Sequence, residues 1–203
     1  MKKNKLLRDA LILFAITLCA AVALAGVYTL TKDPIAKAEE SAKQKAYEAV
    51  YPKVSFVPLT DSEALLVAVN EALAAGKGDD GAVNLTRASV SEVLCAVDTA
   101  GNPVGYVVSA TSKSGYGGEV TAALGVTNEG ALCGFTVLSH SETAGFGARC
   151  DEPEYKKTFI GDRSAADVDM ISGATYTTTA LKEICGAAFF AVRQVESGVS
   201  ADA

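Results

Sequence analysis

Near the C-terminal end, the stretch Asp169-Met-Ile-Ser172-Gly173-Ala174-Thr175-Tyr-Thr-Thr178-Thr combines a carboxylate, a run of hydroxyls and two small residues. An apolar segment follows in which Leu181, Ile184, Cys185, Ala188, Phe189, Val192 and Val195 recur at three- and four-residue spacing. That spacing predicts one face of a helix, so the hydroxyl cluster falls at a helix start, as N-cap and first-turn residues. A helix N-terminus presents unpaired backbone N–H groups and the positive end of a dipole. The chemistry on offer is therefore the binding of an anionic group such as phosphate. Gly173 and Ala174 let such a group approach the backbone. Capping of the last helix is the plainer use of the same residues.

A second polar stretch, Ser139-His-Ser-Glu142-Thr143-Ala-Gly145-Phe-Gly147, closes an alternating segment. Glu142 reads as a local hydrogen-bond acceptor, holding the loop or a cofactor, rather than as a general base. His140 reads as a hydrogen-bonded structural residue. Ser112 to Gly118 carries enough glycine for backbone to approach a ligand closely, and Tyr116 and Tyr176 are either stacking partners for it or ordinary aromatics. The single histidine rules out multi-His metal or haem sites, and none of the five cysteines is paired as C-x-x-C, which argues against a zinc ribbon or iron–sulfur cluster. No metal ligand and no catalytic residue is assigned.

The motif Asp169-x-x-Ser172-Gly173-Ala174-Thr175 resembles the flavinylation signature of the FMN-binding domain family, in which the last threonine of Ser/Thr-Gly-Ala-Thr carries FMN through a phosphoester. The loop from Ser139 resembles that family's His-Ser-Glu-Thr-Pro-Gly-Leu-Gly, with Ala144 in place of proline and Phe146 in place of leucine. Gly115-Tyr-Gly-Gly118 is similar to the family's approach to its central strand. Together with an N-terminal apolar segment, the combination resembles the G subunits of Rnf complexes over nearly the whole chain. The resemblance implies covalent FMN on Thr175, installed from FAD by a flavin transferase that recognises Asp169, Ser172, Gly173 and Ala174. Thr178 would assist at the helix start, and Glu142, Thr143, Gly145 and Gly147 would surround the flavin. It further implies an electron-carrying subunit of a membrane-bound, ion-translocating ferredoxin:NAD oxidoreductase. Such a subunit works beside other membrane and iron–sulfur subunits and is not a catalyst on its own. The alternatives are the flavin-bearing C subunit of a sodium-translocating NADH:quinone reductase, a free-standing exported flavoprotein, and a membrane-anchored module without redox chemistry.

These groups need a scaffold. The 203 residues, 49% hydrophobic and 21% charged, suit one domain plus an appendage. Net charge is −6; Lys2, Lys3, Lys5 and Arg8 against Asp9 give residues 1–9 a local +3, which leaves −9 for the remainder. An acidic body argues against nucleic-acid binding. Ala10 to Leu30 carries no charge and is long enough to span a bilayer. Ala23-Leu24-Ala25 imitates a cleavage site, but the run is long for a signal peptide and is read as an uncleaved anchor. The basic flank stays inside, which places everything after Leu30 on the outer face of a bacterial cell membrane. The expected organisation is a cytoplasmic tail (1–9), a transmembrane helix (10–30), a helical stalk with the first part of the soluble domain (31–84), and the FMN-binding domain (85–203).

Within the soluble part, Asp33-Pro34 opens a new segment and Ile35 to Val50 predicts a solvated helix. A further helix, capped by Asp61, runs to Ala75, and Gly76 to Gly81 is a loop. Alternation predicts four strands, at 92–97, 105–111, 119–126 and 131–139, joined by short turns into an antiparallel meander. A short helix and turn at 155–161 and a terminal helix to about Gly198 complete an α+β fold, with a frayed end. Cys95, Cys133 and Cys185 read as reduced core residues and Cys150 as the accessible one; two disulfides among these four remain open if the domain is exported.

Overall fold

The computed structural model describes residues 2–78 and 83–198. The expected loop at 76–81 is described only as far as Gly78, and the expected frayed end at 199–203 lies outside the described residues. The chain divides into two units, Met1–Gln44 and Lys45–Ala203.

The described residues of the first unit lie within helix α1 (Lys2–Val50). Its apolar part has a mean hydropathy of 2.6 over 18 residues, all of it exposed, and is long and apolar enough to cross a membrane. The hydroxyls inside it donate back to carbonyls one turn earlier: Thr17 Oγ1 to Leu13 and Phe14, Thr29 Oγ1 to Gly26, and Thr31 Oγ1 to Val27. No polar group of these side chains is then left for lipid to satisfy. Pro34, expected to begin a helix, lies inside α1. It withholds one N–H from the ladder, while the helix formers on its far side carry the helix onward.

The second unit is built on five antiparallel strands in the order β1-β2-β3-β4-β5: Ser55–Pro58, Ala88–Val97, Pro103–Ser112, Val120–Thr127 and Leu132–Ser139. One more strand is present than alternation predicts. The extra one, β1, is four residues ending in proline, and it exists through its pairing with β2, Ser55 opposite Val97. Strand β2 also begins earlier than expected. A bulge between Val90 and Glu92 shifts its register against β3, so Ala88 and Val90 face inward in one phase and Val93 in the other.

Each face of the sheet is covered. Val108, Ala110, Ala122, Leu124 and Val126 pack under α2 (Ser62–Ala74) and α4 (Thr175–Glu196), with Leu73, Leu181, Ile184 and Phe189 in the same core. Phe135 and Phe159 stack within it, ring centroids 4.0 Å apart. Val107 and Ala123, on the opposite face, meet Tyr47 and Val50 from the last turn of α1. That approach depends on missing side chains: a Cβ on Gly134 would run into the Val50 carbonyl, and one on Gly125 would come within 3.0 Å of the Val50 side chain. Helix α4 is buried on more than the one face its periodicity predicts, with Ala180, Ala187 and Ala191 inside as well.

Two expectations fail for local reasons. Asp61 precedes α2 but makes no side-chain cap, because its backbone is left-handed (φ 60°, ψ 28°) rather than extended. Cys150 is fully buried in a 3₁₀ turn, Gly147–Asp151, although its neighbour Asp151 is exposed. All five cysteines are free thiols. The short helix appears as α3 (Pro153–Thr158).

Candidate functional site

The terminal helix begins differently from expectation. Its N-cap position is Ala174, which has no side chain to cap with, and no side-chain cap is made. The first intrahelical bond is from the Thr178 N–H to the Ala174 carbonyl, so the N–H groups of Thr175, Tyr176 and Thr177 are left for another acceptor. The turn ahead of the helix is closed by the Ala174 N–H donating to the Ile171 carbonyl at 3.0 Å. Gly173 takes φ +78° there, the left-handed conformation that the third position of a type II turn requires. Ile171 and Ala174 are buried and anchor this turn; Ser172, Gly173 and Thr175 are exposed. Thr178 locks it from beneath. Its hydroxyl accepts from the Ile171 N–H at 3.0 Å and donates to the Ala174 carbonyl at 3.1 Å. Thr175 Oγ1 has no hydrogen-bond partner among the described residues.

The loop after β5 forms a second wall. His140 Nδ1 accepts from the Glu142 N–H at 3.1 Å, which shapes the loop as a structural histidine would. The Thr143 carbonyl accepts from Phe146 and Ala148 N–H, and Gly145 has φ +77°. The third wall is the segment after β3. A Cβ on Gly117 would collide with the Ser141 carbonyl, so the two loops touch backbone to backbone.

Glu142 joins all three. Only 8% exposed, it accepts the Gly117 N–H on Oε1 at 3.0 Å and the Thr177 hydroxyl on Oε2 at 2.5 Å. Gly147 has no room for a side chain between this carboxylate and Thr177. A second buried carboxylate, Glu183, accepts from Ser112 Oγ at 2.5 Å and Ser114 Oγ at 2.7 Å, fixing the other end of the third wall to α4.

Between these walls lies a cavity of about 460 Å³, within the usual range of small-molecule sites. Of the residues singled out in the sequence, Glu142, Thr143, Gly147, Gly173, Ala174 and Thr175 line it, as do Tyr116 and Tyr176. Asp169, Ser172, Gly145 and Thr178 do not. Asp169 is exposed, its carbonyl held by the Tyr155 hydroxyl at 2.7 Å. Thr177 and Phe146 complete the lining. Thr177 is not among the residues the motif picks out, yet it stands at i−4 and i−7 from Leu181 and Ile184, a polar residue on the apolar stripe. Glu183 has no local partner to reveal it, since both its serines are about 70 residues away.

Residues 115–189, which include the lining of this cavity, match the FMN-binding domain family, and residues 1–50 match the RnfG N-terminal region. The G subunit of an ion-translocating oxidoreductase complex from Methanosarcina acetivorans is 30% identical over 176 residues, covering 82% of this chain and 83% of that one. The chain belongs to the family of G subunits of ion-translocating oxidoreductase complexes. Its relatives include the Aliivibrio fischeri G subunit, 29% identical over 89% of this chain and 85% of that one. Another is the G subunit of a Na(+)-translocating ferredoxin:NAD(+) oxidoreductase complex of Acetobacterium woodii, 28% identical over 81% and 74%. Among solved structures, Shewanella oneidensis NqrC aligns with a TM-score of 0.46 at 20% identity, over 53% of this chain and 62% of that one.

A G-family chain whose described residues include a helix long and apolar enough to cross a membrane is a membrane-anchored protein. Its cavity suits FMN in each part: free N–H groups at the start of a 22-residue helix for a phosphate, an exposed hydroxyl beside them, and aromatic rings for a flat heterocycle.

Proposed function

We propose that this chain is the electron-carrying subunit of a membrane-bound, ion-translocating ferredoxin:NAD oxidoreductase, with FMN held by a phosphoester to Thr175. The observation that carries the reading is the position of Thr175. Its unbonded hydroxyl stands at the first position of α4, on the rim of the cavity, inside the matched FMN-binding region.

In attachment, Thr175 Oγ1 forms the bond to the FMN phosphorus of FAD and loses its proton to solvent, while the pyrophosphate bond breaks and AMP leaves. A flavin transferase of the cell supplies the catalysis. Asp169 and Ser172 are exposed beside the motif, where that enzyme can read them, while Gly173 and Ala174 bring the backbone close. Thr178 has a positioning role: it holds the turn that presents Thr175. Glu142 holds the three walls at fixed separation, with Thr143 and Gly147 beside it and Gly145 allowing the loop to turn. When bound, FMN supplies the redox chemistry, passing electrons between other carriers of the complex. The other subunits are its partners, and the basic N-terminal flank supports a location of the second unit outside the cytoplasm.

Intact mass of the chain, co-expressed with the transferase, tests the reading. A gain equal to FMN less one water is expected for the wild type, mapping to the peptide with Thr175, and no gain for Thr175→Val. An unmodified Thr175 in protein from its native host would refute it.

A further inference from the structure

Two aromatic residues that take no part in the core stand at the mouth of the cavity. Tyr116 is 72% exposed and Tyr176 67% exposed, a large apolar area to leave in water without a use. They come from different walls, Tyr116 from the glycine loop after β3 and Tyr176 from the residue next to Thr175. Their rings are nevertheless neighbours, with centroids 6.2 Å apart and planes inclined by 47°. The walls that carry them are held by buried carboxylates. Glu183 grips Ser112 and Ser114 before Tyr116, Glu142 grips Gly117 after it, and Glu142 also holds Thr177 after Tyr176. An exposed pair on anchored backbone is a platform prepared for something flat.

We propose that Tyr116 and Tyr176 form the surface on which the isoalloxazine ring packs, an inference that rests on the reading of the cavity as an FMN site. The spacing decides between two ways of using them. Sandwiching a flat ring requires two contacts of about 3.5 Å, hence roughly 7 Å between parallel rings. A separation of 6.2 Å at 47° is too short and too tilted for that. The pair therefore acts from one side, the heterocycle lying along the face of one ring and meeting the edge of the other, its far side toward solvent. The arrangement leaves the flavin at the protein surface, where electron exchange with a docked carrier takes place.

Flavin emission tests this directly, because a phenol in contact quenches it: the phenol lends one electron to the excited flavin and recovers it on return to the ground state. The probe is the full-length chain carrying its covalent flavin, in detergent. Wild type is expected to be weakly emissive with high emission anisotropy. The double variant Tyr116→Phe/Tyr176→Phe keeps the rings but is a poorer electron donor; emission rises several-fold and anisotropy stays high. In Tyr116→Leu/Tyr176→Leu emission rises and anisotropy falls, since the ring loses its wall. Both residues are exposed, so neither change touches the core. Should intact mass show the adduct while the leucine variant matches wild type in emission and anisotropy, the platform is refuted and the attachment stands. A wild-type chain with no adduct overturns the attachment, and the platform with it.

Discussion

Glu142 accepts from donors on two different walls of the cavity, so removing one donor ought to cost more than neutralising the acceptor. Thr177→Val makes the first change: the side chain keeps its shape and loses its hydroxyl. Thr177 is 1% exposed and Glu142 8%, so water does not replace the lost donor on Oε2. A hydrogen bond to a charged group is worth about 1.5–3 kcal/mol, and leaving that oxygen facing a methyl forfeits most of it. At about 2–4 °C per kcal/mol for a unit of this size, the melting temperature falls by about 3–12 °C. Glu142→Gln is milder. The amide oxygen still accepts from Gly117, and the amide NH₂ faces a Thr177 hydroxyl that can rotate to accept. Only the charge assistance is lost, about 1 kcal/mol. Melting of the full-length chain in detergent, in a Thr175→Val background so that bound flavin does not shift the curve, measures both. The double variant should fall short of the sum, because the two residues share one bond. If Glu142→Gln proves more damaging than Thr177→Val, or Thr177→Val costs nothing measurable, the claim that this pair holds the walls together is wrong.

Gly134→Ala forces a methyl group into the Val50 carbonyl; an overpacking cost of about 1–3 kcal/mol should appear as a lower urea midpoint with unchanged slope. Thr178→Val strands the buried Ile171 N–H, costing about 1–3 kcal/mol, and loosens the turn that presents Thr175, so bound flavin per chain should fall in absorbance spectra. Burial pushes the Cys150 thiol up to about 11, helped by the nearby charges of Asp151 and Glu142, and burial alone pushes Cys133 up to about 11. At pH 7.5 both should resist iodoacetamide in the folded protein, as read by peptide mass. These thiols ionise near 9 in the unfolded chain, so it binds fewer protons than the native state between about pH 9 and 11; the stability they confer is present below pH 9 and lost across that window, seen as a falling melting temperature.

What could be read from residue order follows from range. The terminal helix and the strands β3 to β5 are legible because their buried positions repeat within a few residues. Strand β1 is not, since four residues ending in proline carry no period and only the pairing with β2 defines them. The bulge at Val90/Glu92 hides the start of β2 by changing the phase of its burial. At the site, a motif of adjacent residues locates Thr175 and the loop with Glu142. Glu183 is invisible for the opposite reason: its partners lie about 70 residues away, and no local pattern announces a buried carboxylate on an otherwise apolar helix. Thr177 shows only as a polar residue on the apolar stripe, its partner 35 residues away. The hydroxyl-rich helix start is where the spacing puts it but differs in detail. Ala174 occupies the cap position, so none of the hydroxyls caps the helix, and the buried Thr178 ties down the preceding turn instead.

That uncapped start bears on why a covalent bond to the cofactor is proposed. Among the described residues, the lining of the cavity contains no lysine or arginine, and its one charged residue, Glu142, is negative. A phosphate there meets backbone N–H groups and a helix dipole worth about 0.3–1 kcal/mol at an exposed end, up to about 2 in the best geometry. Stacking on an aromatic wall adds about 1–3 kcal/mol by analogy with bases on aromatic side chains. These terms reach at most about 5 kcal/mol. Against the roughly 4–15 kcal/mol lost when a free ligand gives up its translation and rotation, they leave about −1 kcal/mol at best, weaker than the roughly −4 kcal/mol of millimolar binding. A carrier on the outer face, the location proposed for the second unit, would lose such a ligand to dilution. Two remedies exist for a weak phosphate site: add cations, as nucleotide-binding folds do, or remove the dissociation step. A cation here would sit beside Glu142 and compete with Thr177 and Gly117 for the carboxylate that holds the walls in place. The phosphoester proposed at Thr175 would leave that network intact, and it would need from the protein only what the helix start already offers, an exposed hydroxyl with free N–H groups around it.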